Sequence, residues 1–239
     1  MKNKISAGSY DLNKFLFGGY EKDIITTLYG EAASGKTNLC MILTASQAKK
    51  GNKVLFIDTE GGFSIERFKQ LAGQEYEKYL SNIILLKTTS FKEQIKIFQT
   101  IEKYLKSNIS LIIVDGMTML YRLELAESRE DINEVKKINQ ALANQMRILS
   151  EIARTKNIPV IITNQVYKEF LSKENLERGF TPDTNMVGGD ILKYWSKCLI
   201  KLKLEKGKRK AILQKHRAQP QKEFSFYITN SGIKRKGWI

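Results

Sequence analysis

Gly30, Gly35, Lys36 and Thr37 stand in the spacing Gly-x4-Gly-Lys-Thr within GEAASGKT. This is the Walker A pattern, and its residue types match phosphate chemistry. Glycines let backbone N–H groups turn inward to cradle phosphate oxygens, the lysine neutralises β/γ oxygens, and the threonine hydroxyl ligates Mg²⁺. The run Gly30, Glu31, Ala32, Ala33, Ser34, Gly35, Lys36, Thr37 and Asn38 is therefore the candidate nucleotide-binding segment. A second group follows at Asp115, which ends the apolar run LIIVD. A carboxylate there suits the second metal-binding position of such sites; the plainer reading is a strand-end cap, since Asp favours turns. A third lies in DTEGGF, residues 58–63, where a carboxylate could polarise an attacking water. The pattern alone leaves Glu60 and Asp58 as alternatives. A fourth is Thr163-Asn164-Gln165, whose amides could sense the γ-phosphate.

These groups have to be held at one edge, and the intervening sequence offers the means. Residues 24–29 (IITTLY), 54–58 (VLFID), 83–86, 111–114 (LIIV) and 159–163 (PVIIT) read as short, continuously apolar strands. Residues 38–50, 91–105 and 132–155 read as helices between them. Alternation of this kind predicts an α/β fold, a mainly parallel twisted sheet flanked by helices, with ligands outside the carboxyl ends of the strands. Residues 166–189 are polar, aperiodic and long for a connection, which points to a functional or mobile loop. From 193 onward IKLKL, KAILQK and FSFYIT read as an antiparallel β extension, with a hairpin tip at Gly207. The expected organisation is one domain: a lead-in (1–23), a P-loop core (24–165), the loop (166–189) and a basic extension (190–239).

Composition narrows the classes further. The 239 residues carry a formal net charge of +15, and +12 of it lies in residues 193–239. Polyanions such as nucleic acid are the natural partners of such a surface, although a generally Lys-rich proteome gives the same count. No apolar run has the roughly 18–20 residues of a membrane span, and the first residues have no signal-peptide core. Two cysteines and one histidine poorly supply a disulfide scaffold, a zinc site or a histidine-dependent hydrolase, and a cytoplasmic location is the default expectation. In the hairpin, Lys201, Lys203, Lys206, Lys208, Arg209 and Lys210 could track a phosphate backbone, without interleaved aromatics and hence with little sequence specificity. A solvated strand face is the bland alternative.

Taken in order, GEAASGKT (30–37), FIDTEGGFSIERF (56–68), LIIVDGMT (111–118), IITNQV (161–166), GGDILKYWSK (188–197) and FSFYITNSGI (224–233) resemble the RecA/RadA recombinase superfamily, and in particular its short archaeal RadA paralogues. The resemblance covers nearly the whole chain. It implies a RecA-like P-loop ATPase fold, ATP with Mg²⁺, and a weak DNA-linked ATPase activity. It casts Glu60 as the catalytic glutamate, with Lys36 and Gln165 acting beside it, and Thr37 and Asp115 as metal ligands. Arg67 matches an arginine near the adenine. Residues 122–133 match the first DNA-binding loop, but here the stretch is acidic and lacks that loop's glycines. Residues 167–189 match the second, offering Lys168, Lys173, Arg178 and Phe180 as DNA contacts. Where recombinases have an acidic ATP cap, this chain has Lys215-His216-Arg217; the Lys215/Arg217 pair resembles a cationic finger acting on a neighbouring subunit's nucleotide, which implies a homo-oligomer. Since the chain begins almost directly at the ATPase core, the expectation is that it lacks the N-terminal helix-hairpin-helix domain and polymerisation linker of full-length recombinases.

Two functional readings follow. One is a DNA repair and homologous recombination accessory protein that binds ATP and DNA, hydrolyses ATP slowly and assists a RadA-type recombinase. The other is a nucleotide-gated regulator acting on a protein partner without binding DNA.

Overall fold

The structure is a computed structural model, and it describes residues 3–168, 184–205 and 207–235. A short ribbon of β1 (Lys4–Ile5) and β2 (Tyr20–Glu21), with α1 (Tyr10–Phe15) between, precedes β3 (Ile25–Gly30). The core continues through α2 (Lys36–Ala48), β4 (Lys53–Asp58), α3 (Ile65–Ala72), α4 (Tyr76–Leu80), β5 (Ile83–Lys87), α5 (Phe91–Gln99), α6 (Glu102–Leu105), β6 (Ile109–Asp115), α7 (Met119–Glu127), α8 (Ile132–Lys156) and β7 (Val160–Lys168). The chain closes with β8 (Thr184–Met186), α9 (Gly189–Trp195), β9 (Ser196–Glu205), β10 (Lys208–His216), β11 (Lys222–Thr229) and β12 (Gly232–Arg235).

The main sheet runs β12-β11-β10-β9-β3-β7-β6-β4-β5, with β8 paired to β7. From β9 to β5 every pairing is parallel; β10, β11 and β12 are antiparallel. β3 is buried along its whole length, Thr26 and Thr27 included, because helices cover both faces, which is why its sequence shows no alternation of exposed polar residues. One face packs against α1, α2 and α3 around Leu39, Leu43, Phe56 and Phe68; the other packs against α5, α7, α8 and α9 around Ile57, Val114, Leu142 and Met146. Each buried Leu, Ile or Phe contributes about 1.5–3 kcal/mol of transfer free energy. α8 is fixed at its start by Asp131, whose carboxylate accepts from the backbone N–H groups of Asn133 (2.9 Å) and Glu134 (3.1 Å), a cap worth about 1 kcal/mol.

Four expectations change. The helix over 91–105 is two, because Thr100 leaves helical geometry and its hydroxyl donates back to the Lys96 carbonyl at 3.0 Å. Residues 122–127 belong to α7 instead of a loop; MLYRLELAE is made largely of good helix formers and contains no glycine. The flanks of the 166–189 stretch are ordered: Val166 pairs with Met186 and Tyr167 with Asn185, and α9 follows. Finally, β9 does not begin an all-antiparallel extension. It lies parallel to β3, since α9 carries the chain back across the sheet, and the antiparallel strands start only at β10. The hairpin tip at Gly207, with φ 75°, is as expected.

The residues before β3 are packed onto the last strands. Phe15 meets Phe224 at 4.8 Å between ring centroids, and the Lys222 ammonium lies 3.3 Å from the Phe17 ring centroid. Among the described residues no helix is long and apolar enough to cross a membrane.

Candidate nucleotide site and nucleic-acid surface

Parallel strands bring their carboxyl ends to one edge. Register puts Gly30 opposite Gln165 on one side and Leu202 on the other, and Asp58 opposite Asp115. Between β3 and α2 the loop bends through two positive-φ residues, Ala33 (60°) and Gly35 (105°). Gly30 has no room for a side chain, since a Cβ there would sit 2.1 Å from the Leu202 carbonyl oxygen. α3, α5 and α8 carry an acid in their first turn, whereas α2 carries none and begins with Lys36 and Thr37. Its N-terminal dipole is left for an external anion.

Lys36 is buried and folds back over the loop, donating to the carbonyls of Gly30 and Glu31, each at 2.9 Å. Burial lowers its pKa, while the charges of Glu60 and Asp115 act the other way. Thr37, Gly62 and Asp115 converge: a Cβ on Gly62 would lie 3.1 Å from Thr37 Cγ2 and 3.2 Å from Asp115 Oδ2.

Asp115 is fully buried. Its Oδ1 accepts from the Thr163 hydroxyl at 2.7 Å, and that hydroxyl in turn accepts from the Gly116 N–H at 2.7 Å. Among the described residues its Oδ2 and the Ser34 hydroxyl are buried without a hydrogen bond of normal geometry, although the Thr37 hydroxyl lies close enough to Asp115 to favour its charged form. Buried orphans of this kind call for a ligand or water. A carboxylate oxygen and a threonine hydroxyl side by side make a hard oxygen-donor pair suited to Mg²⁺, and the loop above them could hold the phosphates. These residues fit a magnesium nucleotide.

Burial also raises the Asp115 pKa from 3.8 to about 6, against the pull of the Thr163 and Thr37 hydroxyls. An acid whose folded pKa is raised destabilises the fold once ionised. The cost is absent below pH 3.8, grows as pH rises to about 6, and is complete above it, at about 3 kcal/mol. Asp115→Asn is therefore expected to stabilise the ligand-free protein by about 1–2 kcal/mol at pH 7.5, some of the gain being lost to the amide's own unmet donors. The gain should shrink towards zero near pH 4. Urea denaturation at both pH values checks this, and equal effects at the two would sink it.

Asp58 and Glu60 separate cleanly. Both Asp58 oxygens accept backbone N–H groups, from Gly62 and Phe63, each at 3.0 Å, so this carboxylate builds the turn. Glu60 sits on that turn facing the loop edge, and its Oε1 accepts from Gln165 Nε2 at 3.1 Å. Asn164 does not join them. It is buried, pairs with the Thr118 hydroxyl and donates to the Val187 carbonyl at 2.9 Å, anchoring the strand beyond.

Arg67 reaches from α3 to the β11–β12 turn, where it donates to the Asn230 carbonyl at 3.1 Å and to Gln70 at 2.8 Å. Lys215 and Arg217 lie at the opposite end of β3 from the phosphate loop. Lys215 donates to the Lys193 carbonyl at 2.8 Å. Arg217 bonds Glu21 at 2.8 Å and Asp23 at 2.9 Å, and the Asp23 hydrogen bond heads the influences raising its pKa. Neither is brought to its own chain's loop, and service to a neighbour would require Arg217 to leave both carboxylates.

The basic hairpin splits by strand alternation. Lys201, Lys203, Lys208 and Lys210 share one face, where Lys203 lies 3.7 Å from Glu205 and Lys210 lies 3.2 Å from Glu223. The same face of the sheet carries Tyr29, Leu199 and Met186, at the base of the β7–β8 ribbon. Arg209 is on the other face, with Ala211 and Leu202, and does not belong with the lysines. Lys173, Arg178, Phe180, Lys206 and the side chain of Lys168 lie outside the described residues. Thr163 and Asp58 were both named from sequence, but the bond of Thr163 to Asp115 and the turn that Asp58 builds were not; each residue stands near the end of an apolar strand.

The Rad51 family matches residues 2–236. The chain is 42% identical over 222 residues to the DNA repair and recombination protein RadB of Methanocaldococcus jannaschii, covering 93% of this chain and 98% of that protein. Its identity to the RadB of Methanococcoides burtonii is 37% over 236 residues, 98% and 99% of the two chains. A crystal structure of the RadB recombinase superposes with a TM-score of 0.76 at 33% identity, over 97% of this chain and 99% of that one. The chain belongs to the RadB recombinase family of DNA repair and recombination proteins, within the Rad51 group.

Proposed function

We infer that this protein binds ATP with Mg²⁺ at the GEAASGKT loop, hydrolyses it slowly, binds DNA with little sequence specificity, and assists a RadA-type recombinase. The observation that carries the reading is the convergence of an anion-ready loop, an orphaned Asp115 oxygen beside Thr37, and the Glu60–Gln165 pair at one sheet edge. In it, Lys36 binds β/γ oxygens, Thr37 and Asp115 hold the cation, and Glu60 takes the proton of the attacking water. Mg²⁺, when bound, neutralises charge on the phosphate oxygens. Gln165 touches Glu60 and continues directly into the β7–β8 ribbon, so the phosphate state has a short path to that strand pair. The lysine face of the hairpin flanks the same ribbon, which supports a DNA surface there.

A second reading, action on a protein partner alone, is favoured by one feature: α7 exposes Met119 and Leu123 in a cavity that Gln165 also lines. Binding of labelled single- and double-stranded DNA across a salt series, with ATP, ADP or no nucleotide, separates the two. The DNA reading expects salt-sensitive affinity, with a log–log slope of about −0.7 per single-strand phosphate neutralised and about −0.9 per duplex phosphate, and tighter binding with ATP. Absence of DNA binding at moderate salt in every nucleotide state would overturn it in favour of the protein-partner reading.

A further inference from the structure

The basic β9–β10 hairpin does not stand clear of the phosphate loop; it touches both ends of it. At the start, the Leu202 carbonyl closes over Gly30. At the end, Arg209 lies over Gly35: a Cβ on that glycine would meet Arg209 Cδ at 3.2 Å, Ile228 Cδ1 at 3.3 Å and Arg209 Nε at 3.4 Å. Arg209 is half-buried, and its Nε is buried with no hydrogen-bond partner among the described residues. A buried donor left unmet costs about 1–3 kcal/mol, and native proteins retain few of them.

A second guanidinium is in the same condition nearby. Arg67 uses one terminal nitrogen on Gln70 and Asn230, while its Nε and other terminal nitrogen are buried without partners among the described residues. Asn230 lies two residues from Ile228, which shares the contact over Gly35. Two arginines from separate elements thus hold unsatisfied donors: Arg209 of β10 at the N-terminus of α2, where no acidic side chain in that helix's first turn competes for it, and Arg67 of α3 at the β11–β12 hairpin, which supplies Ile228 to the same contact.

We propose that Arg209 is a nucleotide-binding residue acting in cis, its guanidinium hydrogen-bonding a phosphate oxygen of the nucleotide held by its own loop. The inference rests on the nucleotide reading above and deepens it. It also gives the hairpin two distinct faces: lysines outward, and one arginine inward on the nucleotide. An arginine suits the inward position because its donors are fixed in a planar fork that matches phosphate.

The test compares wild type with Arg209→Ala and Arg209→Lys by calorimetric titration of ADP with Mg²⁺ and by thermal denaturation with and without that ligand. Arg209→Ala is expected to leave the ligand-free melting temperature unchanged or slightly raised, because the lost donor had no partner. It should weaken ADP about tenfold and shrink the ligand-induced shift, and Arg209→Lys should recover only part of the affinity. Wild-type ADP affinity in Arg209→Ala overturns the inference and leaves the nucleotide reading standing. A fall in ligand-free melting temperature with an unchanged ADP shift also overturns it, assigning Arg209 a packing role. Failure of wild type to bind ADP removes the nucleotide reading and this inference together.

Discussion

Lys36→Ala is expected to reduce ATP and ADP affinity by about 100-fold or more while leaving the chain folded. The side chain does two things in the ligand-free protein. It satisfies the Gly30 and Glu31 carbonyls at 2.9 Å, holding the loop in shape before a ligand arrives. It also supplies the positive charge facing Glu60 and Asp115. Burial, which lowers its pKa, is partly offset by these two carboxylates. An ammonium held this way is preorganised toward phosphate oxygens and loses little to reorganisation on binding, and truncating one partner of a buried, hydrogen-bonded charge pair costs about 2–5 kcal/mol of affinity. Alanine is the best helix former and Lys36 opens α2, so the helix itself should survive. Stability is expected to fall by about 1–2 kcal/mol from the unmet carbonyls. Calorimetry with ATP and Mg²⁺, alongside urea denaturation, separates the two effects. Undiminished nucleotide affinity in a folded variant would contradict the assignment of the loop.

Much of this site was legible in the sequence because its parts are local. A glycine-lysine loop between a buried strand and a helix, and an acid ending the later run LIIVD, need only strand order to meet, and parallel strands supply that order. The choice between Asp58 and Glu60 was not legible, since it depends on which carboxylate the Gly62 and Phe63 N–H groups capture. The hairpin shows a different kind of loss. Lys208, Arg209 and Lys210 are adjacent in sequence and equally basic, yet period-two alternation sends the middle one to the α2 face and its neighbours to the other. Assigning those faces needs the register with β9, a non-local fact, as does the pairing of Arg217 with Glu21 and Asp23 nearly two hundred residues away. α9 was hidden by its length: seven residues that begin at the second glycine of a pair carry too little periodicity to declare a helix.

Glu60→Gln should slow ATP hydrolysis by about 10²–10⁴ with nucleotide affinity retained, the opposite division from Lys36→Ala. The substitution keeps shape and changes proton affinity, so what it removes is a general base rather than a binding contact. Shape matters here because the glutamate is tightly seated: a Cβ on Gly116, whose φ is 90°, would lie 2.5 Å from Glu60 Cγ and 3.0 Å from its Oε1. The amide oxygen of a glutamine can still accept from Gln165, preserving the 3.1 Å contact that links this turn to the β7–β8 ribbon. Removing the negative charge also relieves one of the influences that raise the Asp115 pKa, so cation binding should persist to slightly lower pH than in wild type. Single-turnover hydrolysis and equilibrium ATP binding, measured on the same preparation, decide the matter. A parallel loss of both would mean that Glu60 shapes the loop, and wild-type turnover would move the base to another group. Because the Gln165 link survives the substitution, Glu60→Gln should be held in the ATP state, so that any tightening of DNA binding by ATP persists in it for as long as the nucleotide remains bound.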